Sequence, residues 1–167
     1  MVTIPPILEQ GKISVFEFQE NGKPIFVRHW NDEGCINALC IAISNDDQYV
    51  ACGSHGNLNL YLLNDTWKSE FPKPLKSIPY LETRVNQLQF NNSCDMLAIG
   101  YCFNADMNTG SYRLLHLRSL TLFSNFPGTK SKVRPTSLCF SPNDKYLAIG
   151  QYNGRVALMN LKYYNKY

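Results

Sequence analysis

Tyr49-Val50-Ala51-Cys52-Gly53 returns twice along the chain, as Met96-Leu97-Ala98-Ile99-Gly100 and as Tyr146-Leu147-Ala148-Ile149-Gly150. The closing glycines lie 47 and 50 residues apart. Apolar residues also recur eight and six positions before each motif: Ile41 and Ile43, Leu88 and Phe90, Leu138 and Phe140. Periods of about 40–50 residues that contain several short strands are typical of repeat proteins built from small β-sheets. Generic alternation of polar and apolar residues is the alternative explanation, but it would not align so many positions.

Each repeated unit has the order strand, turn, strand, turn, strand. Asn, Asp, Ser and Pro supply the first turn at 45–47, 91–93 and 142–144. Each second strand ends at the motif glycine, where the backbone must turn tightly or approach a neighbour. Third strands are predicted over 57–63, 112–117 and 156–161, and outer fourth strands over 74–81 and 120–126. The connections leave no room for a helix, and Pro74 and Pro79 mark the first outer strand as a sheet edge.

The N-terminal end of the chain contains only part of a unit. A turn at Gly11-Lys12 precedes a predicted strand over 13–18, and Asn21-Gly22 is a strong hairpin signal before an outer strand over 24–30. We therefore expect an all-β fold, a partial WD-repeat β-propeller of about three to four blades of four-stranded antiparallel sheets. Its divisions would be the end of one blade at 1–34, blades at 35–81 and 82–127, and a last blade at 128–167 that lacks its outer strand. Propellers normally have about four to eight blades, so this chain would be part of one, starting inside a blade.

The apolar positions of the repeat predict the residues buried between neighbouring sheets. They are Leu39, Ile41, Ala51, Leu88, Phe90, Ala98, Leu138, Phe140 and Ala148. We expect the two end blades of such a fragment to present uncovered apolar faces, since a blade buries its faces only by stacking on neighbours. Missing parts of the full-length protein, a second copy in a symmetric dimer, or addition of residues 2–8 to the last blade would each cover them.

Composition narrows the class of protein further. The chain is 44% hydrophobic and 13% aromatic, as a packed domain is, and its net charge of +3 permits nucleic-acid contact without requiring it. The six cysteines are irregularly spaced, so we expect free structural thiols, Cys40, Cys52 and Cys139 among them within strands, in a reducing compartment. No metal site is expected, because His29 and the other two histidines are far apart in sequence. No nucleotide-binding or hydrolase motif is present, so we expect neither catalytic residues nor cofactors.

Two loops concentrate basic residues. The first, over 67–76, contains the aromatic residues Trp67 and Phe71 together with several lysines. The second spans 128–134. Aromatic and basic side chains together can hold RNA by stacking and phosphate pairing. The candidate RNA or partner contacts are Lys73, Lys76, Lys130, Lys132 and Arg134. The alternative is that both loops are solvated linkers between blades.

Several longer segments carry a family resemblance. They are Asp32-Glu33-Gly34, Gln48-Tyr49-Val50-Ala51-Cys52-Gly53-Ser54, Pro72-Lys73-Pro74, Phe123-Ser124-Asn125-Phe126-Pro127 and Phe140-Ser141-Pro142. With them the chain, from about residue 13 onward, resembles the C-terminal propeller segment of the WD-repeat family of U-three small nucleolar RNA-associated proteins. The resemblance implies a non-catalytic scaffold in the nucleolar small-subunit processome, with other pre-ribosomal proteins, and snoRNA or pre-rRNA, as partners.

The chain also departs from the WD pattern. Leu63-Asn64, His116-Leu117 and Asn160-Leu161 stand where the Trp-Asp pair belongs, and the usual Gly-His pair is missing. We therefore expect the side-chain hydrogen-bond network of a standard blade to be absent. Two other function classes stay open from the sequence: a WD-repeat adaptor of another intracellular complex, and an enzyme domain carried on a propeller.

Overall fold

The computed structural model of the chain describes residues 2–3, 11–35, 37–102, 112–127 and 134–162, with only the backbone for 2–3 and 80–82. Antiparallel strands dominate these ranges, as expected. The elements are β1 Val2–Thr3, β2 Lys12–Phe18, β3 Pro24–Asn31, β4 Ala38–Ile43, β5 Tyr49–Leu62, α1 Leu63–Lys68, β6 Lys76–Phe90, β7 Met96–Tyr101, β8 Tyr112–His116, β9 Thr121–Leu122, β10 Pro135–Phe140, β11 Tyr146–Gln151 and β12 Val156–Asn160. No helix within the described ranges is long and apolar enough to cross a membrane.

Two long strands, β5 and β6, each provide two of the strands that the repeat predicts. β5 folds back at Gly56, whose φ is +76°, and the backbone N–H of Leu63 donates to the carbonyl oxygen of Gln48 at 2.8 Å. The beginning of β6 pairs with the second arm of β5, whereas its end pairs with β7. The single six-stranded sheet β4 to β9 is therefore two four-stranded blades joined by the continuous β6.

Four blades follow from these pairings. The first blade contains β1 to β3, the second β4, β5 and the start of β6, the third the end of β6 with β7 to β9, and the last β10 to β12. The predicted hairpin at Asn21-Gly22 joins β2 to β3, and each motif glycine lies near the end of its second strand. Val2 and Thr3 pair with β2, so these residues extend the first blade and not the last.

One connection differs from the sequence prediction. Residues 63–68 form α1, a helix of six residues, between the third and fourth strands of the second blade. The Thr66 hydroxyl donates to the Leu63 carbonyl oxygen at 2.7 Å, and Lys68 pairs with Asp65 at 2.8 Å. Because a single helical turn closes by such local bonds, the prediction that the connections have no room for a helix was wrong here.

Apolar residues from neighbouring blades form three layers of core. Ile13 and Trp30 of the first blade pack with Val50, Cys52 and Tyr61 of the second. The second layer joins the second blade to the third and contains Leu58, Leu60, Leu97, Ile99 and Leu115. The third layer joins the third blade to the last and contains Leu114, Leu138, Phe140, Leu147 and Ile149. Each blade thus buries both faces only where it has a neighbour on both sides.

The predicted core is confirmed at Ala51, Phe90, Ala98, Leu138 and Phe140, all buried. Ile41, Leu88 and Ala148 are half-buried. Leu39 was wrongly predicted, because its side chain is 40% exposed. The pairing of β4 with β5 slips between Ala38 and Cys40, and this bulge turns Leu39 away from the core.

The motif glycines allow the blades to approach each other closely. A Cβ atom at Gly53 would lie 2.7 Å from Cγ1 of Val85, and one at Gly100 would lie 3.0 Å from Cγ of Pro135. Val85 and Pro135 stand at the start of the inner strand of the following blade. Glycine is therefore needed at these two positions for blade stacking, as the strand-end motif predicted.

Candidate interaction surfaces

The last blade has an uncovered apolar face. In its third strand Val156 is 71% exposed and Leu158 is 65% exposed, whereas the equivalent Tyr112 and Leu114 of the third blade are 4% and 0% exposed. The difference has a simple cause, since the last blade itself covers Tyr112 and Leu114. Cys139, predicted to be a structural thiol within a strand, is exposed on this same face.

The first blade has an uncovered apolar face on the side that points away from the second blade. Phe18 and Phe26 are about half exposed, and the rings of Phe16 and Phe26 meet edge to face with centroids 5.7 Å apart. The expectation that both end blades present apolar faces is therefore met among the described residues. Exposed apolar patches of this kind mark surfaces that another protein part covers.

The first basic loop is fixed against the first blade. Arg28 of β3 lies over the Trp67 ring, 6.0 Å from its centroid, and donates to the carbonyl oxygens of Trp67 and Ser69. The Asn31 N–H donates to the Glu70 carbonyl oxygen at 2.8 Å. The first part of the loop, residues 67–70, is thus held against the first blade.

Two clefts border this loop. One of about 510 Å³ lies between the first and second blades and has mainly apolar walls, with Trp30, Leu63 and Trp67 among them. The other, of about 550 Å³, lies between residues 31–35 and 71–73. Lys73 lines the second cleft and is exposed, as is Lys76 at the start of β6.

The second basic loop is described only at its end. Arg134 is exposed and directly precedes β10, whereas Lys130 and Lys132 lie outside the described residues. Arg134 begins the inner strand of the last blade, and Lys73 and Lys76 belong to the outer edge of the second. The structure therefore does not bring Arg134 next to Lys73 or Lys76, because the third blade stands between them.

A buried hydrogen-bond network connects the first two blades. The Asp32 carboxylate accepts from the Tyr61 hydroxyl at 2.6 Å and from Asn59 Nδ2 at 2.7 Å, while Asn59 Oδ1 accepts from the Ser77 hydroxyl at 2.7 Å. The standard Trp-Asp and Gly-His pairs are missing from the chain, and this network is formed by other residues. Burial raises the pKa of Asp32, an effect that the donors from Tyr61 and Asn59 oppose, and burial also raises the pKa of Tyr61.

The cysteines and histidines form no reactive cluster in the part of the chain that the structure describes. All six cysteines are free, and burial raises the pKa of the Cys35 and Cys40 thiols to about 12. Thiols that hold their protons so firmly are poor nucleophiles. Within the same residues, no group of three His, Cys, Asp or Glu side chains is placed to hold a metal ion.

Comparison with known families agrees with the strand order. The family model of the WD domain, G-beta repeat, matches residues 22–61 and 120–158. Each match begins near the outer strand of one blade and continues through three strands of the next. The fold and these matches define the chain as part of a WD-repeat β-propeller.

The relatives narrow the class further. The chain is 38% identical to the human U3 small nucleolar RNA-associated protein 18 homolog over 81% of its length. It is 33% identical to the Caenorhabditis elegans homolog over 96% of its length, and 30% identical to the Saccharomyces cerevisiae protein of that name over 92%. The chain is thus homologous to U3 small nucleolar RNA-associated protein 18 over most of its residues. It spans 24%, 37% and 28% of these three relatives, respectively.

Proposed function

We propose that this chain is a non-catalytic scaffold segment of the nucleolar small-subunit processome, where it supports pre-rRNA processing and ribosome biogenesis. The observation that carries the proposal is its similarity, over 81–96% of its length, to relatives named for their association with U3 small nucleolar RNA. Its partners are then other pre-ribosomal proteins, together with snoRNA or pre-rRNA. The chain spans 24% of the first of these relatives and 37% of the second.

The physical character of the surface supports a scaffold. The described side chains offer two open apolar faces and two clefts, and the second strands that carry the repeat motif are apolar. Large apolar faces on a rigid sheet stack suit stable association with further protein.

The proposal is tested by tagging the full-length protein in cells and measuring what it retains. We expect enrichment of U3 small nucleolar RNA and small-subunit precursor RNA in the pull-down, and a nucleolar location by microscopy. An unrelated tagged WD-repeat protein is the control. Recovery of a defined protein complex without U3 RNA would contradict the proposal and favour an adaptor role in another assembly.

We propose that, in the cell, other parts of a longer protein cover the two end faces. For the isolated 167-residue chain, we propose a symmetric dimer that buries them, since two-fold symmetry is the commonest way to close such an interface. Light scattering at micromolar concentration should give twice the chain mass, and replacing Val156 and Leu158 by Asp should return the monomer mass. A folded monomer of the unchanged chain would refute the dimer.

A further inference from the structure

Three exposed side chains form a row at one end of the last blade. The Tyr152 N–H donates to the carbonyl oxygen of Arg134 at 3.0 Å, and the Gln151 N–H donates to that of Arg155 at 2.9 Å. These two bonds place Arg134, Tyr152 and Arg155 on three neighbouring strand ends. Adjacent strands lie about 4.8 Å apart, so the row is compact enough for a single ligand.

The three side chains are available to a ligand. Tyr152 is 76% exposed, and both arginines are exposed. None of the three makes a side-chain hydrogen bond or ion pair with any residue that the structure describes. A phenol ring that is this exposed contributes little to the core, and the two guanidinium groups keep their full donor capacity.

Arg84 extends the row onto the third blade. Its carbonyl oxygen accepts a hydrogen bond from the Cys102 N–H at 2.9 Å. This bond in the third blade is equivalent to the bond between Arg134 and Tyr152 in the last blade. Asn86 Nδ2 donates to the Pro135 carbonyl oxygen at 2.9 Å, so the inner strands that begin after Arg84 and Arg134 are held together. Both arginines therefore lie on one continuous surface.

Charge is divided between the two ends of these blades. The described carboxylates of the third and last blades are those of Asp95 and Asp144, and both belong to turns at the opposite strand ends. Glu82 and Asp106 have side chains outside the described set. Among the described side chains, the end that carries Arg84, Arg134 and Arg155 is therefore cationic.

We propose that Arg84, Arg134, Tyr152 and Arg155 form a binding surface for single-stranded RNA. The proposal rests on the proposed function, because it makes this surface the point where the scaffold touches the RNA of its particle. A base stacks on Tyr152, and the arginines on either side pair with the flanking phosphates. RNA fits better than an acidic peptide because an exposed ring between two cations matches alternating bases and phosphates.

Fluorescence anisotropy with a labelled 12-nucleotide single-stranded RNA, at several salt concentrations, tests the surface on the full-length protein. Replacing Arg84, Arg134 and Arg155 by Gln should weaken binding more than tenfold. It should also flatten the plot of log affinity against log salt by about 2, because each lost phosphate contact removes roughly 0.7 from the slope. Tyr152→Ala should weaken binding roughly 5- to 100-fold without changing the slope, whereas Tyr152→Phe should retain it.

A matched triple variant provides the control. Arg118, Lys145 and Lys162 are exposed and lie near the opposite strand ends, so replacing these three by Gln removes the same charge and should leave affinity within about twofold. Thermal melting establishes that all variants are folded. Equal losses in the two triple variants would show nonspecific charge only and overturn the site. The site would also be overturned if Tyr152→Ala left RNA affinity unchanged and a glutamate-rich peptide competed for the surface as well as unlabelled RNA does. That result would indicate a surface for acidic peptides.

Failure of the site and failure of the proposed function are distinguishable. If the arginine variant binds RNA normally while the tagged protein still retains U3 RNA, the surface is wrong and the scaffold role stands. If the variant loses RNA binding while the unchanged tagged protein retains no U3 RNA, the surface is right and the proposed particle is wrong.

Discussion

The carboxylate of Asp144, in the last blade, accepts a hydrogen bond from the backbone N–H of Asn92, in the third blade, at 2.9 Å. It also accepts from the Ser93 N–H at 2.8 Å. Asp144, Cys94 and Asp47 hold the same position in successive turns, each with φ between +54° and +56°. The Asp144 carboxylate thus joins the last blade to the third at this turn position.

Replacement of Asp144 by Ala should destabilise the chain much more than the same change at Asp47. Asp144→Ala removes charged hydrogen bonds to two amides, and such bonds contribute about 1.5–3 kcal/mol each. Asp47 has no side-chain partner among the described residues, yet it shares the positive φ, so it controls for backbone strain. Urea unfolding of both variants measures the difference. Equal losses of unfolding free energy would show that the bonds between turns contribute nothing.

Phe140→Ala should cost about 3–5 kcal/mol of unfolding free energy. Phe140 is buried between the third and last blades, so its removal leaves a cavity between two sheets. Leu158→Ala on the uncovered face is the control, and in the monomeric chain it should cost less than about 0.5 kcal/mol. A loss below 1 kcal/mol for Phe140→Ala, measured by urea unfolding, would remove it from the core.

Stability should respond to pH in opposite directions at two aspartates. The pKa of Asp32 is raised by burial, so the folded state holds this proton more tightly than the unfolded chain does. The contribution of Asp32 is therefore greatest below its unfolded pKa of about 3.9 and is lost as pH rises through the folded value. Asp32→Asn mimics the protonated acid, so its stability relative to the unchanged chain should increase from pH 4 to pH 7.

Asp46 supplies the control of opposite sign. Its pKa is lowered, chiefly by the Ser44 hydroxyl that donates to it at 2.5 Å, so its contribution is present at neutral pH and is lost as pH falls. Asp46→Asn should therefore lose stability relative to the unchanged chain mainly as pH rises from about 2.5 to 5, across the lowered folded pKa and the unfolded pKa of about 3.9. Urea midpoints at pH 2.5, 4, 5.5 and 7 test both changes. A difference for Asp32→Asn that does not vary with pH would contradict the raised pKa.

Gly100→Ala should destabilise the chain by about 1–3 kcal/mol, as overpacking does. The new Cβ would lie 3.0 Å from the Pro135 ring and 3.0 Å from Cβ of Gln87, and neither neighbour is a flexible side-chain end. Pro135→Ala removes the ring, so the double variant should recover part of the loss. A double-mutant cycle from thermal melting measures this coupling. Strict additivity would mean that the two blades do not meet at Gly100.

The repeat motif predicted the second strands of three sheets, and a separate turn signal predicted the first hairpin. Tyr49–Gly53 and its two copies became second strands, and Asn21-Gly22 became a hairpin. These predictions succeeded because strand alternation, turn residues and terminal glycines act over a few neighbouring residues. Helix α1 was missed because a single turn has no periodic pattern to detect.

The candidate contact surface was only partly predictable. Arg134 was singled out because it ends a basic loop, whereas Arg84, Tyr152 and Arg155 were missed because each is isolated in the sequence. The available signal was positional, since Cys102 and Tyr152 each lie two residues after a motif glycine. That signal has meaning only once the strand pairing places Tyr152 between two arginines.

By itself the sequence determined the strands, their turns and the radial order of the blades, because these depend on local backbone preferences and on a repeat of apolar positions. Only the tertiary structure decided which apolar residues are covered. Leu114 and Leu158 stand at equivalent positions, yet one is buried and the other is exposed. Tertiary packing likewise paired Asp32 with Tyr61 and turned Leu39 outward. Whether a side chain is buried depends on whether a neighbouring blade covers it. The residue and its own strand do not show whether that neighbour is present.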